Sequence, residues 1–179
     1  MDSLINIMSV IGVQKTLIIA CGDYGLHRYL ENNDRVFVYF LPEKMLQKHD
    51  PLEKERIQHF VERKNCTQIV FVGTMDESLI ARIKYSDTFQ SLRASLKFNI
   101  KPWMRNHETG LLSSSRYNQL LLELHVITQC NSLMEYYFIR ERIEKKKFHI
   151  RGLVGDLQEE YIKSIFYNGI TYNNITSMN

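Results

Sequence analysis

Three short runs of nearly unbroken apolar residues constrain this chain more than any other feature: Thr16-Leu17-Ile18-Ile19-Ala20, Arg35-Val36-Phe37-Val38-Tyr39 and Gln68-Ile69-Val70-Phe71-Val72. A strand with one wet face alternates apolar and polar residues, whereas a strand covered on both faces reads as a continuous apolar run. The three runs therefore predict buried parallel strands. Between the second and third, Asp50-Pro51 has the form of a helix start, an Asx cap before a proline at the first helical position. The charged segment after it carries Leu52, Ile57, Phe60 and Val61 as an apolar stripe. Strand, helix, strand in this order implies a right-handed crossover, so the first and third strands should end on the same edge of the sheet.

After Gly73 the pattern turns helical. Residues 77–84 predict a short helix, and 86–105 a second helical stretch with Phe89, Leu92, Leu96, Ile100 and Trp103 at turn spacing, read as core. The polar Ser113-Ser114-Ser115 leads into a long helix over 117–147, in which Leu121, Leu124, Val126, Ile127, Leu133 and Phe138 alternate with polar positions, with a break expected near Asn131-Ser132. Residues 148–154 return as a strand and 161–166 add a last one. The fold expected is α/β, with a mostly parallel central sheet of four parallel strands plus an antiparallel edge strand, flanked by helices. A chain of 179 residues with 44% hydrophobic content suits one domain, here 1–179, with its core over about 14–167 and a loose tail at 168–179.

Charge and cysteine usage exclude several classes of function. The 23 basic and 20 acidic residues are mixed along the chain and leave a net charge of +3, so no nucleic-acid partner is implied. The one dense basic run, Lys145-Lys146-Lys147 after Arg140 and Arg142, sits where a helix C-terminus attracts cations. Cys21, Cys66 and Cys130 are far apart, without the pairing of a disulfide framework or a zinc knuckle. The apolar stretch over residues 4–13 has no basic residue before it, and no run approaches a membrane span. A cytoplasmic protein without a membrane partner is the expectation.

Three blocks, in order along the chain, resemble those of the β-class carbonic anhydrases. Leu17 through Asp23, Leu-Ile-Ile-Ala-Cys-Gly-Asp, resembles the family's Cys-x-Asp-x-Arg motif after an apolar strand. Ile57 through Ile80, a helix and then Gln-Ile-Val-Phe-Val-Gly-Thr-Met-Asp-Glu-Ser-Leu-Ile, resembles the family's strand followed by Gly-His-x-x-Cys-Gly. Tyr136-Tyr137-Phe138-Ile139-Arg140-Glu141-Arg142-Ile143-Glu144, leading into Phe148 through Leu153, resembles the family's late helix and strand. The resemblance implies a zinc held by two cysteines and a histidine, an aspartate–arginine pair beside it, and a homodimer or higher homo-oligomer. Cys21 and Asp23 stand at the first cysteine and the aspartate. Gly25 stands at the arginine, Thr74 at the histidine and Glu77 at the second cysteine, and no histidine or cysteine lies between Thr67 and Asn106.

Zinc needs thiolate, imidazole or carboxylate donors at about 2.0 to 2.3 Å, and a threonine hydroxyl is a poor substitute. Without the metal no bound water titrates near neutrality. The expectation is therefore a protein without carbonate dehydratase activity and without a cofactor, a binding, regulatory or scaffolding domain. Its vestigial crevice would be built from Cys21, Asp23, Gly25, Thr74 and Glu77, with Tyr24, Met75 and Asp76 as lining, and would suit a small neutral or cationic ligand or a protein partner. Tyr24 beside Gly25 either lines this crevice or fills it. Two alternatives stay open: a rearranged zinc site on Cys21, Asp23 and Glu77, completed by a histidine such as His27 or His107, or a different enzyme using Cys21 as nucleophile. Neither histidine spacing nor a visible base favours the second, and His27, His49, His59, His107, His125 and His149 receive no role.

Overall fold

The computed structural model describes residues 9, 11–21, 34–41, 46, 50–86, 114–156 and 161–171. Its centre is a six-stranded sheet in the order β2-β1-β3-β4-β5-β6, made of β1 (Thr16–Ala20), β2 (Val36–Phe40), β3 (Gln68–Thr74), β4 (His149–Asp156), β5 (Tyr161–Tyr167) and β6 (Ile170–Thr171). The pairs β1·β2, β1·β3 and β3·β4 are parallel, and β4·β5 and β5·β6 are antiparallel. Four parallel strands and an antiparallel addition are thus as expected, with the two-residue β6 outside β5. The order reverses at β1, whose neighbours are the second and third strands, so the C-terminal ends of β1 and β3 form the topological switch point of the sheet.

Four helices of the described residues flank it: α1 (Pro51–Glu62), α2 (Glu77–Tyr85), α3 (Ser114–Met134) and α4 (Tyr137–Glu144). Asp50 caps α1 as its sequence suggests, its carboxylate accepting from the Leu52 N–H at 2.9 Å ahead of Pro51. Ile57 and Val61 are buried, while Phe60 is half-buried and Leu52 faces solvent, so the buried stripe is narrower than the sequence pattern. The long helical segment breaks at Glu135 and Tyr136, a few residues beyond the expected point. Tyr136 N–H turns back to Leu133 O at 3.2 Å and the Tyr136 backbone becomes extended before α4 begins. The helical stretch expected over 86–105 lies, apart from Ser86, outside the described residues.

Asn168 and Gly169, both at positive φ, make the two-residue turn of a β5–β6 hairpin, the Asn-Gly signature of a type I′ turn. Asn168 Oδ1 also accepts from the Ile150 N–H at 2.7 Å, tying the turn to β4. Residues 168–171, read from sequence as the start of a loose tail, therefore belong to the sheet, and 172–179 lie outside the described residues.

Both faces of the sheet are buried, which is why its strands lack alternation. Leu17, Ile19, Cys21, Ile69, Phe71, Ile150 and Val154 pack with α1, α2 and α3 on one face. Ile18, Ala20, Val70, Val72 and Leu153 join Ile11 and Val36 on the other. Helix α3 lies very close to the sheet because the residues beneath it are glycines. A Cβ on Gly73 would sit 2.5 Å from Val126 Cγ2, and one on Gly152 would meet Val126, Cys130 and Phe166 at 2.9 to 3.0 Å.

Candidate functional site

Cys21 directly follows β1, and its N–H reaches Val72 O at 3.5 Å, so it stands at the switch point of the sheet. Strand alternation continues through it, placing its side chain with Leu17 and Ile19 on the α3 face, where it is 0% exposed. Opposite lies His125 of α3. Its Nε2 is 3.7 Å from Cys21 Sγ, it is 6% exposed, and its ring meets the Phe71 ring edge-on with centroids 6.2 Å apart. No histidine spacing in the sequence points to Cys21, yet the fold brings the His125 imidazole against its thiol.

The buried face of α3 carries three polar side chains, and each has a partner outside the helix. Besides His125, Glu123 accepts from Lys163 Nζ of β5 at 3.2 Å, and Gln129 Oε1 accepts from the Leu46 N–H at 2.7 Å. Buried polar groups are costly unless paired, so these contacts fix the rotation of α3 and with it the imidazole over Cys21. Sequence periodicity alone hides this arrangement. Leu124 and Ile127, expected in the core, are only half-buried, while Glu123, His125 and Gln129 are buried. The available signal was that His125 lies three and four residues from Leu122 and Leu121, on the apolar stripe rather than beside it.

Of the remaining residues of the expected crevice, the described ones, Thr74, Met75, Asp76 and Glu77, do not converge on Cys21. Thr74 is 2% exposed and falls by alternation on the side of Val70 and Val72, away from the α3 face. Its hydroxyl is buried and has no hydrogen-bond partner among the described residues. Met75 packs against the main core. Asp76 is the N-cap of α2, accepting from the Ser78 N–H at 3.0 Å and the Ser78 hydroxyl at 2.9 Å. Glu77 opens the first turn of α2 and is exposed. An acidic residue there suits the helix dipole, which accounts for its position without a ligand role. The N-cap of α2 is thus Asp76, and Glu77 follows it as the first helical residue. Asp23, Tyr24, Gly25, His27 and His107 lie outside the described residues.

The other two thiols have no such environment. Burial pushes the Cys66 thiol up to about 11, and burial followed by the proximity of Cys21 raises Cys130 well above the ordinary thiol range. Both are free thiols buried in the main core.

Zinc, the metal implied by the resemblance, does not fit the positions that should hold it. Thr74 offers a neutral oxygen on the wrong side of β3, and Glu77 turns its carboxylate to solvent. Among the described residues no three His, Cys, Asp or Glu side chains form a group able to hold a metal ion. Among the same residues no helix is long and apolar enough to cross a membrane.

Neither a protein-family model nor a curated protein matches the sequence. Solved structures do. The β-carbonic anhydrase CafD of the filamentous fungus Aspergillus fumigatus superposes with a TM-score of 0.63 at 19% identity, covering 86% of this chain and 90% of that one. One of two tetrameric β-carbonic anhydrases of the ascomycete Sordaria macrospora gives 0.65 at 18% identity, over 90% and 85% of the two chains. The Coccomyxa β-carbonic anhydrase, solved with acetazolamide, gives 0.60 at 15% identity over 91% and 77%. At these identities the likeness speaks to architecture, and with the strand order and the flanking helices it shows that this chain has the β-carbonic anhydrase fold.

Proposed function

We propose that the chain is a homo-oligomeric binding or regulatory domain on the β-carbonic anhydrase fold that does not carry out zinc-dependent CO2 hydration. The observation that carries this reading is the divergence of Cys21, Thr74 and Glu77, the three described positions corresponding to the family's zinc ligands. One thiol faces α3, one neutral hydroxyl is buried toward the other face, and one carboxylate is in water. A zinc-bound hydroxide requires an electropositive metal held by three firm donors with an open fourth position, and of this set it is the Cys21 thiol alone that faces α3 at the switch point.

Fold does not fix function, so a protein that keeps the architecture while losing the ligand set remains free to bind. The switch-point crevice arises from topology rather than from the side chains that line it. The fungal relative described as tetrameric supports the homo-oligomeric part of the reading. The cytoplasmic expectation from cysteine usage belongs to the same proposal.

The test is CO2 hydration measured by stopped flow on the full chain after incubation with excess zinc and removal of the unbound metal. The rate should equal that of buffer. A zinc-dependent rate that disappears in Cys21→Ser would refute the proposal.

A further inference from the structure

Of all the titratable groups in the described structure, Cys21 and His125 make the pairing least explained by packing. They come from elements 104 residues apart in sequence, face each other at 3.7 Å, and sit at the switch point of a parallel sheet, where side chains of such folds meet their ligands. A core that needed only volume at position 125 would be served by an apolar residue, and an imidazole there must be desolvated. We infer that Cys21 and His125 form a nucleophilic thiol–imidazole pair whose substrate is a small, uncharged electrophile.

The chemistry follows from the two atoms in contact. With His125 protonated on Nδ1, Nε2 accepts the thiol proton, and the resulting imidazolium then donates Nε2–H to the thiolate. The thiolate attacks an electrophilic carbon. The new S–C bond forms as the bond from that carbon to its leaving group breaks with its electron pair. A basic leaving group takes the proton from His125, and a halide leaves unprotonated while His125 returns the proton to water. The surroundings set the substrate class: Cys21 is fully buried among Ile19, Phe71 and their neighbours, so a charged reagent has to surrender its hydration to reach it, whereas a small neutral one does not. This inference is separate from the proposed loss of CO2 hydration, and it is read by a different signal.

Iodoacetamide is the probe, applied to the full chain in the presence of a chelator, with the rate at each cysteine followed by peptide mass spectrometry. Cys66 and Cys130 serve as internal references, since burial raises both thiols. At pH 7 Cys21 should react at least about tenfold faster than either, because each unit of difference in thiol pKa is about tenfold in thiolate. Iodoacetate should discriminate against Cys21 relative to iodoacetamide. In His125→Gln the Cys21 rate should fall toward the reference rates while theirs stay unchanged, which also reports that the variant is folded. A Cys21 rate no greater than the references, or one indifferent to His125, overturns the inference.

Discussion

Gly73 of β3 and Val126 of α3 approach so closely that the Cβ which Gly73 lacks would lie 2.5 Å from Val126 Cγ2. No side chain fits at position 73 beneath this helix. The pair sets the spacing of α3 above the sheet, and His125, the residue before Val126, takes its place over Cys21 from that spacing.

Gly73→Ala should therefore destabilise the fold by about 1–3 kcal/mol through overpacking. Val126→Ala removes the obstructing methyls, so Gly73→Ala/Val126→Ala should be less destabilised than the sum of the two single changes. Urea denaturation of the four proteins measures this. Strict additivity would show that Gly73 and Val126 are not in contact.

Asp76 and Glu77 are adjacent carboxylates with different roles. Asp76→Ala removes a cap and should cost about 0.5–2 kcal/mol. Glu77→Ala removes an exposed side chain and should shift stability by less than about 0.5 kcal/mol. Thermal unfolding of the two variants tests the assignment, and a larger loss at Glu77 would mean that its carboxylate has a buried partner.

The strands, the capped start of α1 and the break in the long helix were legible in the sequence, because continuous apolar runs, an Asx–Pro start and a limit on helix length are local signals. The separation of the site residues was not. Cys21, Thr74 and Glu77 look equivalent as loop-proximal positions, yet the pleat sends Cys21 and Thr74 to opposite faces, and the Asp76 cap places Glu77 in the first turn of α2, exposed to solvent. His125 was hidden for a related reason. Its partner is 104 residues away, and a helix that buries Glu123, His125 and Gln129 as well as Val126 gives no clean amphipathic stripe. The Asn168-Gly169 turn, by contrast, carried a readable hairpin signal that composition alone presented as a tail.

Cys66 gives the protein an alkaline sensitivity of defined sign. Burial stabilises its neutral thiol and raises it to about 11, from 9.0 in the unfolded chain. The folded-state value is raised, so this contribution is complete below about pH 9 and is lost as the pH rises toward 11. The Tm difference between the unaltered protein and Cys66→Ala should be constant below pH 9 and move in favour of the variant above it. A difference that stays flat across that interval would contradict a buried neutral Cys66.

The most direct test of the central claim, that this fold has been kept without its zinc site, is elemental analysis of protein purified without chelator. The account predicts zinc well below stoichiometric and unchanged in Cys21→Ser. Stoichiometric zinc that is lost in Cys21→Ser would contradict it.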